Sequence, residues 1–158
     1  MDPRPLLIDT IAYLSPKPAL DGLTADVAGR RVPGASHSIA EIVAHLVFWQ
    51  DWFCGRCDGT ASPMPTSAAI GWPAPDADGW DALRQRFLDG LERLAAIGST
   101  GDAQRRLDPP IEFPPIATYT VEDVVVHVAN HNAHHLGQIV LLRQLLGAWP
   151  PPAGSYTW

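Results

Sequence analysis

Cysteine is almost missing from this chain of 158 residues; the only two stand in Cys54-Gly55-Arg56-Cys57. A structural zinc site would need two further ligands, and there is no second cysteine pair to supply them. A thioredoxin-like redox pair would need a preceding strand and a βαβ setting, whereas this pair closes a helical pattern. The expectation is therefore two reduced thiols near a helix end. Basic charge is also scarce: 11 Lys and Arg face 17 Asp and Glu, a formal net charge of -6. No run or stripe of these bases could neutralise phosphates, which excludes nucleic acid as a partner. No apolar run nears the roughly 18 residues that span a bilayer, so no membrane partner is expected. The opening Met-Asp-Pro-Arg-Pro lacks the pattern of a secretory signal, and the expected location is cytoplasmic. Internal repeats and alternating strand patterns are absent too.

What remains is a chain 46% hydrophobic and 18% charged, suited to one compact domain over residues 1–158. Leu6, Leu7, Ile11 and Leu14 predict a short helix from Pro5 to Leu14, halted by Ser15-Pro16-Lys17-Pro18; Leu20, Leu23 and Val27 mark a second piece. Ser38-Ile39-Ala40-Glu41 has the capping-box arrangement, and Ile39, Ile42, Val43, Leu46, Trp49 and Phe53 continue it at helical spacing to about Phe53. Residues 55–77 carry no period and predict a long loop, a kind of segment that is often functional. Trp80, Leu83, Phe87, Leu91 and Leu94 mark another helix ending near Gly98. Pro109-Pro110 and Pro114-Pro115 deny a regular helix to residues 99–119. Thr120-Val121-Glu122-Asp123 then caps the longest and last helix, which runs to about Leu146. The tail from Trp149 to Trp158 reads as an extended surface segment. The expected fold is all-α, a four-helix bundle.

The last helix carries the densest chemical signal: His127, His131, His134 and His135 fall within nine residues. Residues four apart share a helix face, so both His127/His131 and His131/His135 can converge on one ion. Against the buried stripe of Val124, Val128, Ile139, Leu142 and Leu146, His135 lies almost central and His131 about 50° aside, while His127 and His134 lie about 90° and 110° away. His131 and His135 are therefore the better ligand candidates. Two unpaired imidazoles on an apolar stripe would be costly without a metal, and two do not complete a site. His45, in the middle of the second long helix, lies about 90° from its own stripe. By periodicity alone it is a flanking, surface histidine.

Two blocks decide its role: Ser38-Ile39-Ala40-Glu41-Ile42-Val43-Ala44-His45-Leu46, and far downstream Asn130-His131-Asn132-Ala133-His134-His135-Leu136-Gly137-Gln138-Ile139. Together, and with the ending Leu-Gly-Ala-Trp-Pro-Pro-Pro, they resemble the DinB/YfiT-like metalloprotein family over nearly the whole chain. The resemblance implies an antiparallel four-helix bundle that often dimerises, so a homodimer is the expected assembly. It also implies a divalent ion held by His45, His131 and His135. Members of that family include thiol S-transferases and isomerases that use low-molecular-weight thiols.

Three neutral imidazoles would leave a divalent ion its full charge and an open position, where a thiol or a water becomes more acidic. Zinc or nickel is the expected metal, and the expected protein is a metal-dependent thiol S-transferase or hydrolase acting on a small molecule. The competing classes are a metal-binding protein without catalysis and a Cys54/Cys57 thiol-redox protein. His131 to His135 also occupies the frame of the zinc-protease motif, but Asn132 replaces the glutamate base and removes that activity. Glu41, one turn before His45, is either a helper of the site or simply the cap. Gln138 has a similar choice between the site and a helix contact, and Trp49 and Trp52 between walling a cavity and filling core.

Overall fold

The computed structural model describes residues 2–75 and 79–155; Tyr156, Thr157 and Trp158 of the tail, with Met1 and residues 76–78, lie outside them. The described chain is helical, and its one β-type pairing is an isolated bridge between Arg106 and Thr120. In chain order the helices are α1 (Arg4–Leu7), α2 (Pro16–Leu20), α3 (Ala25–Gly29), α4 (Ile39–Cys57), α5 (Trp80–Ser99) and α6 (Val121–Leu145).

Two of the three long helices, α4 and α6, begin where the residue chemistry puts them. Ser38 accepts the Glu41 amide while the Glu41 carboxylate accepts the Ser38 amide, and Thr120 and Asp123 do the same for α6. Each box satisfies two backbone donors that a helix start leaves unpaired. Helix α4 extends past Phe53 to Cys57, which places both cysteines inside it.

The N-terminal stretch departs from the periodic pattern. Instead of a helix to Leu14 there is one turn, after which the Thr10 hydroxyl takes the Ala12 amide and Ile11 points fully into solvent. A threonine oxygen offered to a nearby backbone amide competes directly with helix continuation. The proline segment expected to halt a helix instead starts one: Pro16 occupies the first turn of α2, where a missing N–H costs nothing. Thr24 caps α3 through the Val27 amide.

Side-chain pairings give the directions of the long helices. Asp51 pairs with Arg86 at 2.6 Å and Asp58 with Arg93, so residue numbers rise together and α4 and α5 run the same way. Phe53 lies beside His127 and His45 beside His131, so α6 runs opposite to α4. This corrects a uniformly antiparallel arrangement, and it explains the long loop. A 19-residue helix is ~28 Å long, so a parallel neighbour requires the chain to travel back that distance before starting again. The described residues 58–75 belong to that crossover.

The short helices form a column along the other side. Pro3 packs at Gly98 near the end of α5, Arg143 donates to the Ala19 carbonyl at 2.8 Å, and Trp80 at the start of α5 donates to the Leu23 carbonyl at 2.8 Å. Arg143 is 1% exposed, and its other hydrogen bonds go to the carbonyls of Ala148 and Pro18. It thus ties α2 and the turn after α6 to the last helix.

Helix α4 is the centre of the molecule. From Ile39 to Val47 every residue except Glu41 is buried. Its Gln50 lies across α5, donating to the Phe87 carbonyl at 3.0 Å, and a Cβ at residue 90 would stand 1.8 Å from the Gln50 amide nitrogen. Only glycine at 90 admits this approach. No helix among the described residues is long and apolar enough to cross a membrane.

Candidate metal centre

Helix periodicity leaves His45 on a flank of α4, and the crossover covers that flank. A 3₁₀ turn, Ala68–Gly71, brings the Gly71 carbonyl to His45, whose Nδ1–H donates to it at 2.6 Å. Since a carbonyl only accepts, the proton sits on Nδ1 and the Nε2 lone pair faces the bundle interior. The next residue, Trp72, stacks flat on the His45 ring at 3.8 Å and 11°, and its other face stacks on His37 at 3.7 Å. Gly71 is itself pressed on Trp49, where a Cβ would come 2.9 Å from the indole nitrogen.

From α6, His131 and His135 meet this ring. His45 Nε2 and His131 Nε2 stand 3.1 Å apart, and the three ligand nitrogens all lie within 4.8 Å of one another. His135 has its own orienting partner: its Nδ1–H donates to Gln138 Oε1 at 2.7 Å, while the Gln138 amide nitrogen donates to His134 Nε2 at 3.1 Å. An ion ~2.1 Å from each nitrogen in a tetrahedral site needs separations near 3.4 Å. The observed triangle is within a small ring rotation of that requirement. Neutral, inward-facing imidazoles, two of them with the outer nitrogen engaged, are the donor set such an ion uses.

Electrostatics agree with neutral rings. Burial pushes His45 down to about 4 and His131 to about 3, reinforced in each case by neighbouring imidazoles; burial likewise lowers His135. The unfolded chain protonates such residues near pH 6.5. Folded-state values below the unfolded one mean that the stability is fully present above pH 6.5 and is lost as pH falls toward 4. Thermal denaturation of chelator-treated protein is expected to show a falling midpoint between pH 7 and 5, a window above most carboxylate titration. His131→Gln should flatten the slope, and a midpoint constant over that window would contradict the buried neutral trio.

The remaining candidates lie outside the triangle. His127 is half-buried against Phe53 and Tyr119, with 3.1 Å between its Nδ1 and the Tyr119 hydroxyl. His134 is exposed; it meets the His135 ring edge-on at 4.9 Å and accepts a hydrogen bond from Gln138, with its ring outside the triangle. Glu41 closes the capping box and pairs with Arg31, so it serves the cap. Asn132 is 2% exposed and neither its amide nitrogen nor its oxygen has a partner. Trp49 is partly buried against the crossover, and Trp52 donates to the Pro63 carbonyl.

Cys54 and Cys57 are free, buried thiols, which burial pushes up to about 12 and about 11. A thiol near 11 rather than 9 has ~100-fold less thiolate at neutral pH. Native protein should therefore react with a disulfide reagent at least ~100-fold more slowly than the denatured chain. Fast, stoichiometric reaction of the native thiols would restore a redox role.

Sequence patterns did not point to Gly71, Trp72, His37 or Tyr119. None of the four lies on a periodic stripe; His37 and Tyr119 each stand one residue before a cap, at Ser38 and Thr120, and those caps were the signals nearest to them.

A helical chain with three converging imidazoles has a group of side chains positioned to hold a metal ion. The model of the DinB superfamily matches residues 17–139, and the chain belongs to that family. Comparison with curated proteins and with solved structures gave no match.

Proposed function

We propose that His45, His131 and His135 hold one divalent ion, zinc or nickel, and that the protein uses it to transfer a low-molecular-weight thiol to a small electrophilic molecule. The observation that carries this is the convergence of three imidazole nitrogens within 4.8 Å, two of them from rings whose outer nitrogen is already engaged. When bound, an ion on three neutral imidazoles keeps its full charge and makes a thiol or water in the remaining position more acidic.

The chain's own groups do the rest. Gly71 and Gln138 orient two of the rings, and Trp72 seals the His45 flank from water. Among the described residues no carboxylate hydrogen-bonds to the three rings, and the Asn132 amide cannot serve as a base. That favours a thiol over water as nucleophile, because a free thiol near 8.5 needs far less help to lose its proton. Hydrolysis is the second reading of the same site. The broken N-terminal column takes the place of the first member of a four-helix bundle.

Metal-loaded protein should consume an electrophile only when a small thiol is added, and should be slow on ester and amide panels. Full loading with inertness toward every thiol and ester would leave a metal-binding protein without catalysis.

A further inference from the structure

His131, one of the trio, also lines a cleft. The cleft, of about 490 Å³, is lined by Tyr119, Asp123, Val126, His127, Asn130 and His131. Its polar wall is built: the Tyr119 hydroxyl and His127 Nδ1 are 3.1 Å apart, and Phe53 backs the imidazole at 4.8 Å. The Asn130 amide is exposed one turn further along α6. The charge on this wall is one-sided. Among the described residues Asp123 is the one fully charged side chain lining the cleft, and no lysine or arginine lines it. The Asp123 carboxylate is held in place by the Thr120 amide and hydroxyl, both at 2.8 Å.

We infer that this cleft binds the thiol cosubstrate by its far end, and that it selects thiols whose other end is neutral or an amine over those that carry a carboxylate. The inference rests on the metal and thiol reading above and adds the ligand class. Tyr119, His127 and Asn130 supply hydrogen bonds to a polar end group, while the fixed Asp123 carboxylate repels an anionic one and attracts an ammonium. Val126, 41% exposed, gives the short carbon chain between the two ends an apolar surface.

Cobalt-loaded full-length protein reports the binding directly, through the change in its visible absorption when a thiol reaches the metal. Cysteamine, 2-mercaptoethanol and 3-mercaptopropionate are titrated in turn. Cysteamine should bind tightest and 3-mercaptopropionate at least roughly tenfold more weakly. Asp123→Asn should narrow that gap, and Tyr119→Phe, which leaves the cap intact, should weaken all three thiols without changing cobalt stoichiometry. Equal or tighter binding of 3-mercaptopropionate overturns the inference, as does a Tyr119→Phe variant with unchanged affinities. A cobalt spectrum that no thiol perturbs removes the thiol reading together with the inference, and failure to bind cobalt at all removes the metal reading.

Discussion

Changing His135 to alanine should lower bound metal from about one ion per purified chain to near zero, because two imidazoles no longer outcompete water and chelators for a divalent ion. The substitution removes one of the three converging nitrogens, leaves Gln138 Oε1 without its donor and empties one buried ring position, but it leaves the Thr120/Asp123 cap and the apolar stripe of α6 in place. Far-ultraviolet circular dichroism should therefore still show a helical protein. His45→Ala should behave in the same way, whereas His134→Ala, which alters an exposed ring bonded only to Gln138, should retain the metal. Elemental analysis of the four proteins decides the matter. A His135→Ala protein that still carries a full ion would show that the cation sits elsewhere.

The second large effect concerns Arg143. Its guanidinium is 1% exposed and donates to the carbonyls of Ala19, Pro18 and Ala148. Burial lowers its pKa, yet the group has no route to neutrality at ordinary pH. Leucine at 143 keeps apolar bulk but takes the side-chain donor from the Ala19 and Ala148 carbonyls, while Pro18 keeps only the Asp21 amide, at a cost on the order of 3 kcal/mol. For a chain of this size that corresponds to a melting temperature lower by roughly 6–12 °C. Lysine, a point charge without the planar fork, should recover only part of the loss. A leucine variant melting within roughly 2 °C of the parent would mean that these hydrogen bonds contribute little.

Arg143 also shows where a one-dimensional pattern stops being informative. Its neighbours Leu142 and Ile139 were legible as core from spacing alone, and so were Leu83, Phe87, Leu91 and Leu94 on α5. The Ser38 capping box and the Thr120 cap were legible because their geometry spans only four residues; that Asp123 closes a second box came from the structure. An arginine gives no such sign, since its burial depends on carbonyls more than a hundred residues away. The direction of α5 was hidden for a related reason: periodicity tells which face is apolar, not which neighbour covers it or which way that neighbour runs.

The site divides along the same line. His131 and His135 followed from their place on the apolar stripe, and both join the triangle. His45 did not follow from its stripe, because what buries it is a carbonyl and an indole 26 and 27 residues downstream, on a segment with no period at all. Family resemblance carried that residue where spacing could not. Asn132 was legible as the residue that disqualifies a protease, but its isolation in the core was not.

The acceptor that orients His45 belongs to the main chain, so no codon change at position 71 can delete it. A bulkier residue there would act only indirectly, by levering the segment off the indole of Trp49. Descendants of this protein can therefore retune that imidazole in one inexpensive manner, by gaining or losing residues between the two parallel helices. Insertions and deletions in that stretch, rather than replacements of the histidines, are where divergence in metal preference within such a lineage should begin.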